Sequence, residues 1–192
     1  MHLLAIVFVA ILANNIVLSQ FLGICPFLGV TKKIETSTGM GIAVIFVMTL
    51  AAIVSWLVYN FILDPLNLAY LRTIAFILVI AGLVQLVEMI LKKTNPTLFR
   101  ALGIYLPLIT TNCTILGVAL LVIDNSYGLV ETIVFSIATG AGFTLAMIIM
   151  AGIRERLELV SMSQFFKGAA VTLVTAGILS LAFMGFKGIV SL

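Results

Sequence analysis

Along the chain, short polar clusters separate six long apolar runs at residues 3–28, 40–63, 73–91, 98–122, 129–153 and 168–190. The intervening polar stretches are short: residues 31–33, 64–72, 92–95, 124–128 and 154–167. The runs are continuous and do not alternate, as the strands of a transmembrane barrel would. Several exceed about 18 residues, the length a helix needs to cross about 30 Å of hydrocarbon. The pattern predicts an all-α integral membrane protein with six transmembrane helices, forming a single membrane domain over residues 1–192. No connection is long enough to fold as a domain, so water-soluble chemistry falls to other chains. The first run lacks a basic leader, its first lysine being Lys32, and it is too long for a cleaved signal.

Composition sharpens this. Of 192 residues, 63% are hydrophobic and only 9% charged, against about 25% charged in a soluble domain. Mean hydropathy is +1.33. So few charges cannot coat a water-facing surface, and whole-chain soluble enzyme folds are excluded. The one histidine, His2, sits at the N-terminus, which removes a buried Ser-His-Asp or Cys-His set and a His-rich metal site. No Gly-rich phosphate loop and no Gly-x-Gly-x-x-Gly fingerprint is present, and nothing suggests nucleic acid as a partner.

Six spans place the connections alternately on two sides. One side receives Lys32, Lys33, Lys92, Lys93, Arg100, Arg154, Arg156 and Lys167; the other receives only Arg72 and Lys187. By the positive-inside rule, the basic loops face the cytoplasm and both termini lie outside. The acids Asp64, Asp124 and Glu131 gather on the outer side. Glu88 is the nearest approach to a charge within a span, and it lies about a helical turn from Lys92 at a span end, where an interfacial pair is expected.

Self-comparison reveals a repeat. The frame Cys25-Pro-Phe-Leu28-Gly29-Val30 returns 88 residues later as Cys113-Thr-Ile-Leu116-Gly117-Val118. Thr38-Gly39-Met-Gly41 resembles Thr139-Gly140-Ala-Gly142, and Ala75, Leu78, Val79, Ala81, Gly82 and Leu86 match Ala170, Leu173, Val174, Ala176, Gly177 and Leu181. The matches occur in order, span for span, dividing the chain near residues 1–95 and 96–192. Three spans per half invert the second half relative to the first, giving a pseudo-two-fold axis in the bilayer plane. Gly23, Pro26 and Gly29 surround Cys25, while Pro107 and Gly117 flank Cys113. The first and fourth helices are therefore expected to be broken beside these residues. Asn14, Asn15, Ser19 and Gln20 precede one break and Thr110, Thr111 and Asn112 the other. They can serve freed carbonyls or a bound polar group, or act as interhelical glue.

Three readings of the cysteines stay open on spacing alone. Cysteine is an ordinary small core residue. A disulfide is possible but brings little to a bundle already confined by lipid. Zinc lacks further ligands, whereas an iron–sulfur cluster takes four thiolates, so two per chain make half a site.

At these residues the sequence resembles a known family. The run from Phe21 to Lys33 around Cys25, the run from Tyr105 to Cys113, and Ile153-Arg-Glu-Arg-Leu157 closely resemble the membrane subunits shared by Rnf electron-transport complexes and sodium-pumping NADH:quinone oxidoreductases. The resemblance covers essentially the whole chain, including residues 66–73 and 182–186. Pro26 and Thr110-Thr111-Asn112-Cys113 favour the Rnf branch, in its A-type form. The resemblance implies a prokaryotic inner-membrane component, not catalytic alone, of a complex that carries electrons from ferredoxin to NAD⁺ and exports Na⁺ or H⁺. It implies that Cys25 and Cys113 supply half the ligands of a 2Fe–2S cluster, completed by the paralogous Rnf E-type component of opposite orientation. Flavins, the NAD site and further clusters would belong to the Rnf subunits B, C, D and G. From a different class, a small transporter or channel on the same inverted repeat is the alternative. Against it, no span centre carries an acid or a base.

Overall fold

The computed structural model describes residues 6–66, 68–94, 106–158 and 168–187. His2, Arg100, Lys167 and Leu192, with the side chains of Lys92 and Lys187, lie outside the described residues. The described chain is helical, without strands. A π-helical turn, Val9–Ala13, leads into α1 (Ile16–Gln20) and α2 (Ile24–Gly29). Helix α3 (Ile34–Val58) closes in a second π-helical turn, Tyr59–Leu63. After a 3₁₀ turn, Ala69–Leu71, come α4 (Arg72–Thr94), α5 (Leu106–Thr110), α6 (Cys113–Asp124), α7 (Leu129–Glu158) and α8 (Ala169–Lys187).

Among the described residues, four stretches are long and apolar enough to cross a membrane: Ile34–Leu63, Arg72–Ile90, Pro107–Asp124 and Leu129–Leu157. The first apolar run is cut into short pieces, and the sixth carries a shorter apolar helix, Ala170–Gly185. Several apolar helices of this kind make a multi-pass membrane protein. Exposed side chains agree with a lipid environment. Ile74, Ile77, Leu78 and Leu86 project from α4, and Leu173, Val174, Ile178 and Leu181 from α8, each more than half exposed. Their spacing of three and four residues marks one face of each helix. In water such faces would demand cover, whereas in lipid they need none.

Contacts gather the chain into two units, Met1–Ala43 with Ala138–Leu192, and Val44–Ile137. In the first, α8 packs on the π-helical turn, α1 and α2. Its core holds Leu18, Phe27, Met40, Phe143, Met147 and Met150, all at most 2% exposed. In the second, α4 packs on α5 and α6, over a core of Met48, Phe76, Ile115 and Val118. Each unit thus joins a broken helix to the last helix of the other sequence half. Helices α3 and α7 run through both units.

Close helix approach depends on glycine. A Cβ at Gly41 would meet the Thr144 side chain, and one at Gly142 would lie 3.1 Å from the Ala10 carbonyl oxygen and 3.2 Å from Ile11 Cα. These two glycines occupy matching places in the sequence repeat. In the second unit Trp56 Nε1 donates to the Tyr127 carbonyl at 2.9 Å, and Arg72 pairs with Asp124 at 2.6 Å. That ion pair joins the start of α4 to the end of α6. Most helix hydroxyls donate to the carbonyl four residues earlier on their own helix, as at Thr49, Thr132, Ser136, Thr144 and Thr175. These close their own polar groups and are not glue between helices.

The first and fourth apolar runs are interrupted beside Cys25 and Cys113, as the sequence suggested, but the prolines and Gly117 are not what breaks them. Gly117 lies within the continuous helix α6, and Pro107 is the second residue of α5. Pro26 is the third residue of α2. Proline is tolerated in a first turn because the N–H it lacks has no intrahelical acceptor there. The chain breaks instead at asparagine caps and left-handed residues.

Candidate functional site

At the first break, Asn15 caps α1. Its Oδ1 accepts from the Val17 N–H at 3.1 Å, and its Nδ2 donates to the Gly142 carbonyl at 2.7 Å and the Ile11 carbonyl at 3.2 Å. The side chain is buried, at 1% exposure. One asparagine thus caps α1 and ties the break to α7. Ser180 on α8 donates its hydroxyl to the Leu18 carbonyl at 2.6 Å. Helix α1 then ends in left-handed turns at Phe21 (φ 55°) and Gly23 (φ 81°). Glycine takes that conformation freely, whereas a phenylalanine there is strained. Together they redirect the chain into α2, of which Cys25 is the second residue. Cys25 is exposed.

The far end of α2 is held from α7. The Val30 N–H donates to the Pro26 carbonyl at 2.9 Å, and the Thr31 hydroxyl to the Phe27 carbonyl at 2.6 Å. Arg154 Nη1 donates to the Leu28 carbonyl at 2.8 Å and to Thr31 Oγ1 at 3.1 Å. The adjacent Glu155 Oε1 accepts from the Ile34 N–H at 3.1 Å, at the start of α3. A base therefore meets a helix C-terminus and an acid a helix N-terminus, the favourable polarity for both.

At the second break Asn112 caps α6, its Oδ1 accepting from the Thr114 N–H at 3.0 Å. Cys113 is the first residue of α6 and half-buried. Asn112 Nδ2 and Thr114 Oγ1, on either side of it in sequence, are buried without a hydrogen-bond partner among the described residues. Buried donors seldom go unserved.

Both cysteines thus occupy the first turn of a helix that starts just after a break, Cys25 in the first unit and Cys113 in the second. Neither forms a disulfide. First-turn N–H groups lack intrahelical acceptors and favour negative charge, which suits a thiolate. Among the described residues no three His, Cys, Asp or Glu side chains converge. Each thiol is the kind of soft donor that an iron–sulfur cluster takes, and the buried donors of Asn112 and Thr114 flank one of them in sequence. Sequence reasoning located the cysteines but missed Ser180 and Arg154, whose partners lie 162 and 126 residues away. The available signal was Arg154-Glu155-Arg156 at the end of a span.

The Rnf-Nqr subunit family of membrane proteins matches residues 3–190. The A component of the Na⁺-translocating ferredoxin:NAD⁺ oxidoreductase complex of Acetobacterium woodii is 57% identical over 188 residues, covering 98% of each chain. The A component of the ion-translocating oxidoreductase complex of Photorhabdus laumondii is 57% identical across 94% of this chain and 93% of its own. That of Proteus mirabilis is 57% identical across 95% and 94%.

Proposed function

The chain belongs to the Rnf-Nqr family of membrane subunits, and from that premise we propose that it relays electrons across the membrane within a ferredoxin:NAD⁺ oxidoreductase complex. It does so beside a paralogous Rnf E-type component and with the Rnf subunits B, C, D and G. The carrier is a 2Fe–2S cluster, with Cys25 and Cys113 supplying two thiolates and the paralogue the other two. The observation that carries this reading is the matched position of the two cysteines, each in the first turn of a helix begun at a break.

When bound, the cluster accepts and donates one electron at a time. The residues of this chain do the rest. Asn112 starts α6 at a fixed place, with Cys113 as its first residue, and the left-handed Gly23 starts α2, with Cys25 as its second. Asn112 Nδ2 and Thr114 Oγ1 supply donors for sulfur, and a donor near sulfur favours the more negative, reduced state. The apolar helices exclude water. Hydrocarbon about 30 Å thick is too wide for one useful electron jump, and a centre near the midplane divides it.

Coupling to Na⁺ or H⁺ export belongs to the complex. We read the membrane as the prokaryotic cytoplasmic membrane, crossed six times as two inverted three-helix repeats, with basic loops inside and both termini outside. Two contacts support this alternation. Arg154 and Glu155 meet the connection after α2, and Arg72 meets Asp124, so each ties together loops assigned to one side. Reporter fusions are expected to find residues 1 and 192 outside and Lys32, Lys93 and Arg154 inside. Cytoplasmic signal from both ends would overturn the orientation, and opposite signals the span count.

Co-expression with the paralogue tests the shared cluster. The pair is expected to carry iron, acid-labile sulfide and a visible iron–sulfur spectrum that neither chain carries alone. An iron-free, folded pair would leave a transporter or a scaffold as the reading.

A further inference from the structure

Helix α2 holds Cys25 yet has only six residues, including Pro26 and a terminal Gly29. A helix so short cannot sustain itself, because nucleation costs exceed what a single turn returns. Its upstream end rests on left-handed Phe21 and Gly23. Its downstream end is fixed from outside, by the Thr31 hydroxyl on Phe27 and the Arg154 guanidinium on Leu28 and Thr31. Leu28 stands three residues after Cys25, about 4.5 Å of helix rise. Thr31 is fully buried and Arg154 half-buried. Charged hydrogen bonds in such surroundings are the stronger kind.

We propose that Arg154 is a positioning residue for Cys25: by capping the C-terminal carbonyls of α2 it holds the one helix that presents this thiolate. The inference rests on the assignment of Cys25 as a cluster ligand. Its charge also bears on the electron, because a cation near one end of α2 favours the reduced cluster, which carries one more negative charge. Glu155, one residue on, anchors the same end of α7 to the start of α3, which keeps the guanidinium in reach.

The experiment compares the assembled complex in its native form with Arg154→Gln, Arg154→Lys and, as a control, Cys25→Ala. Amide exchange at Phe27 and Val30, whose N–H groups bond Gly23 and Pro26 within α2, is expected to quicken about tenfold or more in Arg154→Gln, with α6 amides unchanged. The midpoint of the iron–sulfur signal is expected to fall, by about 59 mV if the one-electron equilibrium shifts tenfold. Arg154→Lys, which keeps a charged donor for Leu28, is expected to restore most of both. If Arg154→Gln does not assemble, Thr31→Val removes one hydroxyl of the network and is read the same way in exchange. Unchanged exchange in α2 overturns the proposal. So does faster exchange with an unmoved midpoint, or an equal rise in α6. If Cys25→Ala itself keeps the signal, the cluster reading fails first, and this inference with it.

Discussion

Replacing either Cys25 or Cys113 by alanine is expected to stop electron transfer from ferredoxin to NAD⁺ through the assembled complex. A loss of about a hundredfold or more follows if the cluster is the only carrier at that depth, since a site of four thiolates that loses one no longer holds its iron. The double variant should be no worse than either single one, because the two residues serve one centre. NADH oxidation with an artificial acceptor, a reaction of other subunits, should continue at the rate of the unaltered complex. Serine offers a harder, poorer ligand, so serine variants should fall near the alanine ones. Core cysteines would behave differently, tolerating alanine with a modest loss of stability and normal electron transfer.

The second large effect is structural. Asn15→Leu removes one acceptor and two donations, leaving the Val17 N–H without its acceptor and the Gly142 and Ile11 carbonyls without the Nδ2 donor. No water replaces them at a site only 1% exposed. The orphaned N–H costs about 1–3 kcal/mol and each lost donation about 1, so a combined loss of about 3–5 kcal/mol is expected. The subunit should largely fail to accumulate, and what remains should melt well below the native complex. Asn112→Leu should cost less, because Asn112 makes one such bond, to the Thr114 N–H, while its Nδ2 has no partner among the described residues. Quantitative immunodetection and thermal aggregation of solubilised membranes measure both. Equal tolerance of the two variants would contradict the capping account.

The helices and the existence of the breaks were legible in the sequence, because runs of apolar residues and clusters of Gly, Pro and Asn are local signals. The mechanism of breaking was not. Prolines drew attention, yet Pro26 and Pro107 sit in first turns, where proline is harmless, and Gly117 is absorbed in α6. Asn15 and Asn112 act as caps because each side chain reaches the N–H two residues on, a local rule that applies to both. The left-handed Phe21 carries no sequence signal at all, since bulky residues seldom adopt it. Ser180 and Arg154 were hidden for another reason. Their acceptors are backbone carbonyls, which have no identity in a sequence, and only the packed first unit brings them together. Gly41 and Gly142 lie between these cases: the repeat marked them, and the close approaches of Thr144 and Ala10 give the reason.

The central claim is that Cys25 and Cys113 hold one redox centre jointly with another chain. Electron paramagnetic resonance of the reduced complex, with iron and acid-labile sulfide counted on the same samples, tests it most directly. Cys25→Ala and Cys113→Ala are each expected to lose the same single 2Fe–2S signal and about two iron atoms per complex, with every other cluster signal intact. A full complement of iron and an unaltered spectrum in either variant would contradict the account.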